Sequence, residues 1–77
     1  MQELVISAIW DDEAEVWVAQ SDDVPGLATE ANTLEALTEK LRVMIPELLE
    51  CNSGLPVEQD VPWELVAKRS ELLRIRR

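Results

Sequence analysis

Apolar and polar positions divide the chain into a first half that alternates and a second half that repeats every three to four residues. Glu3 to Trp10 carries Leu4, Val5, Ile6, Ala8, Ile9 and Trp10, a density of β-branched and apolar residues that predicts a strand covered on both faces or nearly so. After the polar Asp11-Asp12-Glu13, residues Ala14 to Gln20 alternate, with Val16 and Val18 on one side and Glu15, Trp17 and Ala19 on the other. That pattern predicts a second strand and a hairpin. Ser21 to Gly26 is a turn cluster, because Pro25 presets φ and Gly26 tolerates positive φ. Leu27 to Ala31 then predicts a short third strand, giving an antiparallel meander in which Trp10, Trp17 and the valines cover one face.

A meander with one apolar face needs cover, and the next stretch supplies it. Leu34, Leu37, Leu41, Met44, Ile45, Leu48 and Leu49 form one stripe of an amphipathic helix. Asn32 or Thr33 is the expected N-cap, and Asn32 with Glu35 has the spacing of a capping box. Pro46 removes the hydrogen bond to the Arg42 carbonyl and predicts a kink or local irregularity. Asn52-Ser53-Gly54 is the expected stop, and Leu55 to Pro62 a polar connection.

The last segment carries two periodicities. Trp63, Leu65 and Ala67 alternate as a strand does, while Glu64 and Lys68 have the spacing of a helical ion pair. A strand is expected, since a helix of about five turns needs a wider sheet beneath it. A second strand-like piece is expected over Leu72 to Arg76. The fold class is thus α+β, one domain in β-β-β-α-β order, with a core over residues 3–69 and a basic tail over 70–77.

Charge changes this picture from a generic domain to one with a preferred partner. Sixteen acids against seven bases give a net charge of -9, which repels nucleic-acid phosphates and anionic membranes and favours a cationic partner. Up to Asp60 only Lys40 and Arg42 offset the acids, whereas Lys68, Arg69, Arg74, Arg76 and Arg77 follow. That asymmetry reads as a solvated surface with a tail that pairs with it. The three arginines of the tip are too few to make RNA the principal partner.

Candidate chemistry is sparse. There is no His, and Cys51 is the one cysteine, so an ordinary thiol in a reducing, cytoplasmic setting is expected, with no cofactor. No nucleophile-base pair is visible, and the acids on turns and edges lack a converging fourth ligand, so neither a catalytic nor a metal site is expected. No apolar run is long enough to span a bilayer, and the Met-Gln-Glu start lacks the basic residues of a signal peptide. Asp22 and Asp23, with Glu15 and Glu30 on neighbouring strands, are candidates for an acidic edge that mimics phosphate in a cationic site. The competing reading gives the aspartates to the turn itself. Trp10 and Trp17 are expected to pair across the hairpin as packing, and Trp63 is the aromatic candidate for an interface.

The run Trp17-Val18-Ala19, the turn Ser21-Asp22-Asp23-Val24-Pro25-Gly26-Leu27 with Ala28-Thr29-Glu30-Ala31, and the helix start Thr33-Leu34-Glu35 together resemble the HicB-like antitoxin domain. Within that group they are most similar to a small uncharacterised bacterial and archaeal domain family. Its thermophilic members share the Ser-Asp-Asp-Val-Pro-Gly-Leu turn and a Pro-Glu-Leu-Leu-Glu helix end. The resemblance implies a partial ribonuclease-H or double-stranded-RNA-binding arrangement in which the final strand joins the sheet beside the first. It further implies a small basic RNA-directed toxin as partner. Such antitoxins mostly carry a second, DNA-binding domain, for which the ten or so residues after Ala67 leave no room, so direct DNA binding is not expected. A homodimer joined at a sheet edge or at Trp63, with no toxin, is the competing expectation.

Overall fold

The computed structural model describes residues 3–53 and 60–76. In chain order it holds β1 (Leu4–Asp11), β2 (Val16–Gln20), β3 (Thr29–Ala31), α1 (Leu34–Ser53) and β4 (Trp63–Lys68), which is the expected α+β class. The sheet order is β3-β2-β1-β4. The pairs β1/β2 and β2/β3 are antiparallel, while β4 runs parallel to β1. Topology explains the mixture: β3 runs in the direction of β1, and a single helix that returns across the sheet lets the next strand take that same direction.

One face of the sheet carries the core. Leu4, Ile6 and Ala8 from β1, Trp17 and Ala19 from β2 and Ala31 from β3 are buried with Leu37, Leu41, Ile45 and Leu49 of α1. The helical stripe is therefore as the spacing predicts, with Leu34, Met44 and Leu48 half-buried beside it. Two residues of the Ser21–Leu27 turn also enter the core: Val24 is fully buried and Leu27 nearly so.

Four expectations need correction. First, β1 is not covered on both faces. It alternates, and Val5 and Ile9 stay exposed. Second, the tryptophans and valines do not share a face. Trp10 and Trp17 are directly opposite on the helix side, while Val18 looks the other way and is exposed. Third, the capping box does not form: of the two expected N-caps Thr33 serves, and its Oγ1 accepts a hydrogen bond from the Ala36 amide at 3.0 Å. The N3 residue is thus Ala36, which cannot reach back, so Asn32 and Glu35 do not make a capping box. Fourth, the segment after β4 forms no strand over Leu72–Arg76; residues 69–76 are exposed and irregular.

Pro46 lies inside α1, which runs unbroken through it. Pro46 and Arg42 are both exposed, so water can meet the carbonyl that loses its donor. The expected connection over Leu55 to Pro62 falls mostly outside the described residues. Because the Thr33 cap stands at the junction of β3 and α1, Thr33→Ala is expected to lower stability by about 1 kcal/mol. Thr33→Ser should recover most of that loss in urea melts followed by circular dichroism.

Candidate functional site

The joint between the two halves is built by side chains that act as backbone. The ladder between β1 and β2 stops at the Ser7/Gln20 pair, which leaves both backbone groups of Val5 without a strand partner on that side. Asp23 Oδ2 accepts the Val5 amide hydrogen at 2.8 Å, and Ser21 Oγ donates to the Val5 carbonyl at 2.6 Å. Ser21 Oγ also accepts from the Asp23 amide at 3.0 Å. Two side chains thus extend the ladder by one residue pair and satisfy groups that are costly to leave unmet. The Leu27 amide then donates to the Val24 carbonyl at 3.2 Å, closing a turn in which Gly26 takes φ 83°. Pro followed by Gly suits a type II turn, where a side chain at that position would clash.

The five candidate residues are not brought to one point. Asp23 is half-buried and holds Val5, whereas Asp22 beside it is exposed. Glu15 stands at the opposite end of β2, in the loop where Asp11 Oδ1 accepts from the Glu13 and Ala14 amides, and it has a left-handed φ of 56°. Glu30 is exposed on β3 opposite Val18, and its carbonyl, not its carboxylate, accepts from Lys40 Nζ at 2.6 Å. Trp63 is half-buried against the core, level with Leu4 on the helix side of the sheet. Among the described residues the sole ion pair is Arg42 with Glu39, and no group of three or more His, Cys, Asp or Glu is placed to hold a metal.

The sequence reading missed the face of the sheet turned away from α1. Val5, Ile9, Val18 and Val66 are exposed there, and the register pairs Ile9 with Val18 and sets the rest among polar neighbours: Ile9 also beside Lys68, Val18 beside Glu30, Val66 beside Ser7 and Val5 beside Glu64. Two shallow depressions mark this face. One lies among Val5, Gln20, Asp22 and Asp23, the other among Ile9, Val18, Asp11 and Glu13. The face thus carries the Ile9-Val18 pair between Lys68 and Glu30, with Ser7 and Gln20 alongside, and is acidic at both ends of β2. Alternation in β1 and β2 contained this signal, since it leaves Val5, Ile9 and Val18 on the side opposite the tryptophans.

The tryptophans anchor the hairpin end. Trp10 and Trp17 meet edge to face with centroids 5.3 Å apart, as expected for packing. The Trp10 Nε1 donates to Asp12 Oδ1 at 3.0 Å, and the Arg69 guanidinium sits 4.2 Å over the Trp10 ring. That stacking fixes where the chain leaves β4. The one cysteine, Cys51, is exposed as a free thiol, and no helix among the described residues is long and apolar enough to cross a membrane.

No curated protein matches the chain. Among solved structures it is similar to a hypothetical protein, TTHA1013, from the extremely thermophilic bacterium Thermus thermophilus. The two are 53% identical, with a TM-score of 0.67, over 96% of this chain and 100% of that one. A family model matches residues 3–76, and with the whole described fold inside that match the chain belongs to the family described as Domain of unknown function (DUF1902).

Proposed function

We propose that this chain is a non-enzymatic, cytoplasmic binding domain whose acidic surface takes a small basic protein, in the manner of HicB-like antitoxins that hold RNA-directed toxins. The observation that carries the reading is the exposure of Asp22, Glu15 and Glu30 on a chain of net charge -9. A surface of that sign draws in a cationic partner and repels nucleic acid. The Ser21–Leu27 turn and the Thr33 helix start, which resemble the HicB-like domain, supply the analogy. Asp23 supports the site from behind by fixing the loop that displays Asp22.

The test is whether an adjacent gene encodes a small basic protein and whether that protein, co-expressed with this chain, is captured in pull-downs across salt concentrations. Replacing Asp22 and Glu30 together by Lys is expected to weaken capture at least tenfold at low salt, and added salt should weaken the unaltered complex. Capture indifferent to salt and to the double substitution would remove the charge mechanism. RNA cleavage dependent on added Mg²⁺ and lost in Asp22→Ala would remove the non-enzymatic reading. A second reading, a self-associating interaction module without a toxin, is favoured by the exposed Val5, Ile9, Val18 and Val66, since large apolar residues gathered in the open on one sheet face mark interaction surfaces.

A further inference from the structure

We propose that the open face of the sheet is occupied, in the free protein, by the segment after β4 of a second copy of this chain, and that two copies exchange these arms reciprocally. The proposal deepens the self-association reading by naming its surface and its occupant. It also uses the acidic ends that the first reading assigns to a basic partner.

The arm has the chemistry that the face lacks. Beyond Arg69, residues 70–76 hold Leu72, Leu73 and Ile75 with Arg74 and Arg76, and Glu71 is the one acid. Leu72 is 101% exposed and Ile75 87%, so the arm finds no apolar contact on its own body. The face presents the complement: Ile9 and Val18 lie between Lys68 and Glu30, and the acids Asp11 and Glu13 at one end and Asp22 at the other outnumber that one base. Spacing agrees as well. Leu72 to Arg76 spans up to roughly 13 Å when extended, enough to reach from Val18 past the end of β2 at Gln20 to the bend that carries Asp22. A leucine seated on Ile9 and Val18 therefore brings an arginine within reach of an acidic end.

Geometry favours a second copy over the arm's own body. Arg69 is pinned over Trp10 at the hairpin end, and Ser70-Glu71-Leu72-Leu73 contains neither Gly nor Pro to reverse the chain onto its own sheet. The arm instead projects outward. The molecule measures 59 × 22 × 18 Å with a radius of gyration of 15.0 Å, against about 11.5 Å for a compact chain of this length.

Area decides between arm exchange and simple face-to-face stacking. Four strands about 4.8 Å apart and about six residues long make a face of roughly 400 Å². Two such faces together fall short of the roughly 1,200 Å² at the lower end of specific interfaces. Two exchanged arms add their own buried surface to both faces, in an isologous pair.

Sedimentation equilibrium of the full chain tests this. The unaltered protein is expected to have the mass of two chains at micromolar concentration. An arm variant (Leu72→Asp with Ile75→Asp) and a face variant (Ile9→Lys) should each raise the dissociation constant at least tenfold. Mixed together they should recover a two-chain species, because the intact arm of one meets the intact face of the other. Circular dichroism confirms that each variant folds, and Val18→Lys replaces Ile9→Lys if that variant does not. A monomeric unaltered protein, an arm variant that still dimerises through stacked faces or paired edges, or a mixture without recovery overturns the exchange. A monomer that still captures the basic partner in a salt-dependent way rejects the exchange and leaves the proposed function standing. A dimer that behaves as described but captures no such partner does the reverse.

Discussion

Leu41→Ala is expected to destabilise the domain by about 3 kcal/mol, within the usual range for truncating a fully buried leucine. Leu41 is 0% exposed and lies in the helical stripe packed on the sheet, between Leu37 and Ile45. Alanine keeps the helix propensity, so the loss comes from burial and the cavity left behind. For a domain whose total stability is on the order of 4–11 kcal/mol, this is a large share. The melting temperature should fall by roughly 12–24 °C. Val43→Ala on the outer side of the same helix is the control, and a change within about 0.5 kcal/mol is expected there. Similar melts for the two variants would mean that α1 does not pack on the sheet through this stripe.

Asp23→Ala is expected to lower stability by about 1.5 kcal/mol, the low end for a hydrogen bond to a charged acceptor. Asp22→Ala, one residue away, should stay within about 0.5 kcal/mol of the unaltered protein. The contrast follows from one bond: Asp23 Oδ2 takes the Val5 amide at 2.8 Å. Asp23→Asn keeps an acceptor of the same shape and should restore more than half of the loss. Amide hydrogen exchange gives a second readout, because the Val5 amide should lose protection in Asp23→Ala and keep it in Asp22→Ala. Equal effects at the two positions would show that the Val5 clamp contributes nothing to stability.

Local rules made part of this structure legible. The α1 stripe could be read because one helix face repeats within a few residues, and the Pro25-Gly26 turn because its dihedral demands are local. β4 could be read as a strand from the alternation of Trp63 and Leu65. The role of Asp23 could not be read in the same way, since its partner Val5 lies eighteen residues earlier and either aspartate has the right chemistry. The direction of β4 was likewise hidden, because it depends on the path of the helix and not on any residue within the strand. The coverage of β1 was misread for a related reason. Val5 and Ile9 are apolar, and periodicity reports that a residue avoids water without saying what covers it. The choice between Asn32 and Thr33 as N-cap stayed open because both are competent caps, and it lies in where β3 ends.

The parallel pairing of β1 with β4 has a kinetic consequence. β1 meets β2 across a short loop, a closure on the microsecond scale, but its other neighbour arrives only when Trp63 comes alongside Leu4. Closing that long a segment costs more chain entropy and is slower. Until it closes, the central strand is an unpaired edge, the kind of surface that recruits other partly folded chains. The tryptophans divide between these two events: Trp10 and Trp17 belong to the hairpin, and Trp63 to the strand that completes the sheet. Refolding of variants that keep either Trp63 alone or the Trp10-Trp17 pair, followed by fluorescence, would separate the two steps, and the interval before Trp63 docks is the window in which this chain is most exposed to aggregation.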